Sequence, residues 1–162
     1  MSTNIISKVV EINNCNKDEL IEAIFKPEFW IMINPAKSME AEFIKPNVLH
    51  TKIVDEIINI KIEMEGELVL QDQGEQPERK GRLIELNVRN NKDIKELEGR
   101  MRIKKISNNK SKIGVFINSL KLNSDFLNLI GGTAELILRT KITEMLRNLD
   151  NWLKSNTLED LF

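Results

Sequence analysis

The stretch Ile60-Lys61-Ile62-Glu63-Met64-Glu65-Gly66-Glu67-Leu68-Val69-Leu70 alternates apolar and charged residues almost without a break. Side chains of a strand alternate between two faces, so this run predicts a strand with one face buried and one in water. The pattern repeats on both sides of it. Met39, Ala41 and Phe43 alternate with Glu40 and Glu42. Arg82, Ile84, Leu86 and Val88 share one phase. Leu97, Gly99, Met101 and Ile103 oppose Glu96, Glu98, Arg100, Arg102 and Lys104. Val48 to Val54 and Ile113 to Leu120 complete six consecutive strands. Asp55 to Asn59 reads as a bend, Gln73 to Pro77 as a loop, and Ser107 to Lys110 as a tight turn.

Upstream, Thr3 to Ile12 reads as a further strand, ended by Asn13-Asn14-Cys15-Asn16. Asn16 and Glu19 have the spacing of a capping box, which predicts a short helix bearing Leu20, Ile21, Ile24 and Phe25. Pro27 suits the first turn of a second short helix, which Asn34-Pro35 ends. Downstream, Phe126, Ile130, Ala134, Ile137 or Leu138, Ile142, Met145, Leu149 and Trp152 form one helical stripe. A single helix from Ser124 to Trp152 would be about 42 Å long, enough to cross a sheet. Six antiparallel strands with one apolar face must bury that face, and this helix is the element able to cover it. The expected class is therefore α+β, in the order β-α-α-β6-α, with about seven antiparallel strands curved around a C-terminal helix. Residues 1–155 read as a single domain of this kind and 156–162 as a tail, frayed or docked on a partner.

Composition narrows the function. The chain has 162 residues, with 24 Lys+Arg against 25 Asp+Glu. A net charge of -1 lacks the basic excess of a nucleic-acid binder. One Cys and one His cannot supply a structural zinc site or an internal disulfide. No Tyr and a single His leave few acid–base catalysts. No apolar run is long enough to span a bilayer, and no secretory signal is present. These features suggest a soluble, cytoplasmic protein without metal or cofactor, more a binder than an enzyme.

A curled sheet is wider than one helix, so a gap remains between them. Large side chains fill it or a ligand does, and aromatic residues make up only 5% of the chain. The inward set is Ile62, Met64, Leu68, Ile84, Leu86, Leu97, Met101, Phe126, Ile130 and Ile137. It is either a packed core or the lining of an apolar site. Arg82 shares their phase. It either holds a carboxylate or phosphate head group at the cavity mouth or lies on the surface. His50 and Cys15 read as structural, and Glu63, Glu65 and Glu67 as a solvated charge ladder. Gly131-Gly132 marks a close approach, a late helix start or a hinge.

The arrangement resembles the helix-grip fold of the START and polyketide-cyclase-like (SRPBCC) superfamily. It is most similar to the carbon monoxide dehydrogenase G-like branch. The residues that carry the likeness are Ile12 to Ile33 with Pro27-Glu28, Pro35, Met64-Glu65-Gly66-Glu67-Leu68, Gln76-Pro77-Glu78 and Leu129-Ile130-Gly131-Gly132. The resemblance implies a deep apolar pocket between sheet and helix that takes a fatty acid, isoprenoid or other lipid. It also allows an accessory role beside a partner enzyme, or a polyketide-cyclase activity. A homodimer or a protein partner is compatible with it.

Overall fold

A computed structural model describes residues 4–57, 59–130 and 132–162. The elements run β1 (Ile6–Asn13), α1 (Lys17–Ile24), α2 (Pro27–Ile33), β2 (Ser38–Lys45), β3 (Val48–Ile57), β4 (Ile60–Gln76), β5 (Gly81–Arg89), β6 (Ile94–Ser107), β7 (Lys110–Leu122), α3 (Ser124–Ile130) and α4 (Ala134–Trp152). The seven strands form one antiparallel sheet in the order β1-β7-β6-β5-β4-β3-β2. The first strand pairs with the last, and α1 and α2 carry the chain across to the far edge. The expected α+β helix-grip architecture is present.

Local chemistry accounts for the elements. Asn16 caps α1, its Oδ1 accepting from the Glu19 N–H at 3.0 Å. Pro27 occupies the first turn of α2, where its missing N–H costs nothing. Trp30 anchors α2 by donating from Nε1 to the Ile24 carbonyl at 2.8 Å. The inner phases of β5, β6 and β7 bury Ile84, Ile103 and Ile113 in one core with Ile142, Leu146 and Leu149 of α4. On the outer face Arg100 lies over the Phe116 ring, 5.0 Å from its centroid.

The structure departs from the sequence reading in the extent of three strands. β4 continues to Gln76, so the segment expected as a loop is paired with β5 across a register shift between Asp72 and Gly74. β3 extends to Ile57, so Asp55 belongs to a strand. Of the expected bend, Ile58 lies outside the described residues, and Asn59 turns the chain with φ of 63°. β1 begins at Ile6, and Thr3 also lies outside the described residues.

The expected single helix is two. α4 is 19 residues, about 28 Å, and α3 precedes it as a separate seven-residue piece. Gly131 lies outside the described residues. Gly132 has φ of 80°, a conformation that only glycine adopts without strain. A Cβ there would meet nothing within 4 Å. The backbone conformation therefore explains Gly132, and a close approach to the sheet does not.

The C-terminal segment is held on its own chain through one buried side chain, while Phe162 at its end is 49% exposed. Leu158 is 1% exposed and belongs to the main core. Asn14 fastens the segment, its Nδ2 donating to the Leu153 carbonyl at 2.8 Å and to the Asn156 carbonyl at 3.0 Å. Thr157 and Asp160 form a capping box over a short 3-10 turn, Leu158–Leu161.

Candidate functional site

Among the described residues, two apolar chambers lie between the sheet and the helices. The inner one, about 220 Å³, lies under α4 between Leu20, Phe29, Leu68, Leu86, Met101, Ile113 and Leu149. The outer one, about 260 Å³, lies toward the ends of β3, β4, β6 and β7, under α3 and the start of α4. Trp30, Leu97, Leu138 and Met145 border both and form the partition. Each chamber is smaller than the roughly 300–1,000 Å³ of an ordinary small-molecule site, and the two joined fall within it.

Strand phase and helix position build the outer chamber. β4 contributes Ile62 and Met64, and β7 contributes Leu120 and Leu122. α3 presents Phe126 and Ile130 across from them, and α4 adds Ile137. Ile62, Phe126 and Ile130 are buried in a cluster of their own, apart from the main core. The end of α2 closes one side through Asn34, Pro35 and Ala36. Asn148 on α4 fixes that end, its Nδ2 donating to the Ile33 carbonyl at 3.0 Å.

One ion pair borders this apolar space. Lys141 Nζ stands 2.7 Å from Asp55 Oδ2, with side chains 26% and 13% exposed. Lys141 also donates to the Pro35 carbonyl at 3.4 Å, and Glu144 faces it at 3.9 Å. Asp55 Oδ1 accepts from the Glu56 N–H at 2.8 Å. Neither residue stands out in the sequence. Asp55 falls in the expected bend, and Lys141 is absent from the apolar stripe of its helix. The available signal is helical spacing, because Lys141 sits three residues after Leu138 and four before Met145.

The inward set separates as follows. Ile62, Met64, Leu97, Phe126, Ile130 and Ile137 line the outer chamber. Leu68, Leu86, Leu97 and Met101 line the inner one. Ile84 lines neither and is packed in the core. Arg82 lines neither chamber. It binds Asp72 through two hydrogen bonds, Nε to Oδ1 at 2.8 Å and Nη2 to Oδ2 at 2.6 Å. It lies about 20 Å along β5 from Val88, and it is Val88 that pairs with Leu97 at the outer chamber's end. The Arg82 hydrogen bonds hold the Asp72 carboxyl below its ordinary value.

The remaining candidates line neither chamber. His50 Nε2 is 3.0 Å from Glu65 Oε1 on the exposed outer face. Glu67 pairs with Arg89 at 3.7 Å and Glu63 with Lys61 at 3.3 Å, as in a charge ladder. Cys15 is buried, and burial pushes its thiol up to about 11, against the lowering effect of the Ser111 hydrogen bond. Such a thiol is a poor nucleophile. Among the described residues no three His, Cys, Asp or Glu side chains are grouped to hold a metal. Among the same residues no helix is long and apolar enough to cross a membrane.

No protein-family model matches the sequence, and no curated protein matches it. Solved structures do. TTHA0849 of Thermus thermophilus superposes with a TM-score of 0.67 at 10% identity, over 93% of this chain and 97% of its own. A START superfamily protein of Mycobacterium smegmatis gives 0.57 at 14%, over 92% and 96%. The Zhui aromatase/cyclase of a Streptomyces species gives 0.58 at 10%, over 96% and 92%. The chain has the START-like helix-grip fold. At these identities the likeness is one of fold, and the chemistry must be argued from the site.

Proposed function

We propose that the protein is a non-catalytic binder of a lipid-like molecule, a fatty acid or an isoprenoid, held between sheet and C-terminal helices. The outer chamber carries this reading, because it is apolar nearly throughout yet bordered by one half-buried ion pair. Burial of an alkyl chain there would contribute about 25 cal/mol per Å² of apolar surface removed from water. Met64 and Met145 suit an irregular guest, since methionine adapts its shape at low cost. Trp30 borders both chambers and, once Trp152 is replaced by Phe, supplies a probe. Saturable one-to-one quenching of its fluorescence by a chain-length series of amphiphiles supports the proposal. Native mass spectra free of bound amphiphile, together with no saturable quenching, refute it.

The accessory-factor reading, by analogy with the carbon monoxide dehydrogenase G-like branch, draws on a C-terminal segment able to dock elsewhere. Leu158 and Leu161 pack on their own chain and Phe162 is left 49% exposed, so the segment by itself does not favour that reading. A cyclase would need acid–base groups aimed into the chamber. Among the described residues, Asp55 and Lys141 are the titratable groups that border it, and they are engaged with each other.

A further inference from the structure

The ion pair at the edge of the outer chamber constrains what a guest's polar end can be. An ammonium has three donors and no acceptor. Those of Lys141 face Asp55 Oδ2, the Pro35 carbonyl and Glu144. One cation thus stands among two carboxylates. A third, brought in by a fatty acid, would either crowd this negative excess or draw Lys141 away from Asp55. The second course leaves a carboxylate that is 13% exposed without its counter-ion, which is the expensive way to break such a pair.

Asp55 is differently placed. A carboxylate offers about four acceptor positions. Among the described residues two are used, by the Glu56 N–H and by Lys141. The unused capacity at the chamber's edge is therefore acceptor capacity, and it calls for a donor on the guest. An ammonium-ended guest would satisfy the charge balance, but its own desolvation beside an apolar chamber is costly. A hydroxyl donates one hydrogen bond, accepts others, and carries no charge to desolvate.

We propose that the outer chamber selects an apolar molecule ending in a hydroxyl, an alkyl or prenyl alcohol, and discriminates against the matching carboxylate. The hydroxyl donates to Asp55 and lies against Lys141, leaving the existing pair intact. This inference rests on the reading that the chamber takes a lipid-like molecule, and it narrows that class to alcohols.

The test measures dissociation constants for decanol, decanoate, decylamine and methyl decanoate by Trp30 quenching. It uses the intact chain, the isosteric Asp55→Asn variant and Glu144→Gln, each with Trp152→Phe. An unselective greasy pocket also prefers decanol to decanoate, so the deciding quantity is how that preference responds to the carboxylates. Removing the Asp55 charge frees Lys141 for a new anion. We expect the decanol-to-decanoate preference to fall by at least about tenfold in Asp55→Asn and by a smaller factor in Glu144→Gln. Decanol should also exceed methyl decanoate, which accepts but cannot donate. A preference unchanged by both substitutions overturns the inference. So does decylamine, decanoate or methyl decanoate binding the intact chain as tightly as decanol. Each of those results leaves the lipid-binding reading standing, whereas saturable binding by none of the four removes both. If Asp55→Asn does not fold, Glu144→Gln and the wild-type series still decide.

Discussion

The two chambers have the same origin and different fates. Both lie over inward residues of one alternating sheet, and Met101 and Met64 occupy equivalent phases on β6 and β4. The inner chamber is covered by α1, α2 and the C-terminal half of α4, all knit into the main core with Leu20, Ile113 and Leu149 nearly inaccessible. The outer chamber is covered by seven-residue α3 and the first turns of α4, through a small separate cluster. Alternation alone thus decides which residues face inward. The cover decides whether the chamber they line is enclosed by the main core or by a small cluster of its own.

The largest expected effect breaks this comparison in terms of stability. Leu149, 2% exposed, belongs to the main core, and Leu149→Ala should cost about 3 kcal/mol in urea unfolding. Phe126→Ala removes more atoms, but from the small separate cluster under α3 and not from the main core, so we expect about 1 kcal/mol. Equal losses would mean that α3 is as integral to the fold as α4, and the distinction between the chambers would fail.

The next effect is on binding. Met64→Asp places a short charged side chain, unable to snorkel to water, on the outer chamber wall. Affinity for decanol should fall about 100-fold while circular dichroism stays native. The corresponding change at Met101 is expected to unfold the protein, because that position is enclosed by core.

The partition gives a smaller effect. Met145→Ala removes one of the four side chains that separate the chambers. The optimum chain length for alcohols should then lengthen, with a gain of about fivefold, near 1 kcal/mol, for the longest members. An unchanged optimum would show that the inner chamber takes no part in binding.

Much of this architecture is legible in the chain. Ile60 to Leu68 announces its strand through charge on every second residue, a pattern that a half-buried sheet explains. The C-terminal stripe is equally plain, but its continuity misleads. Hydrophobic spacing from Phe126 to Ala134 is compatible with one helix, and the break depends on the backbone angle of Gly132, which spacing does not encode. The site is legible in its apolar part and hidden in its polar part. Ile62, Met64 and Phe126 follow from phase. Asp55 and Lys141 are 86 positions apart in sequence, as their residue numbers show, and meet through the pairing of β3 with β4 and the path of α4. No local pattern links them.

Arg82 supplies the smallest effect and the sharpest contrast with the Asp55–Lys141 pair. Its partner Asp72 has a carboxyl held below the ordinary value, first by the Arg82 hydrogen bonds, against the raising effect of burial. A depressed folded-state value means that the pair stabilises the fold above the unfolded Asp value of about 3.9. That contribution is lost as pH falls through the lower folded value. The side chains are 32% and 26% exposed, so solvent screening limits it to about 1 kcal/mol. Arg82→Met should therefore be less stable than the wild type by about that much at pH 7, and the difference should vanish as the pH is taken well below 4. Its affinity for decanol should be unchanged, because Arg82 lies at the other end of β5 from the outer chamber. A pH-independent stability difference would assign the loss to packing of the arginine stem. A fall in affinity would return Arg82 to the head-group role that its phase first suggested, and would move the polar end of the site away from Lys141.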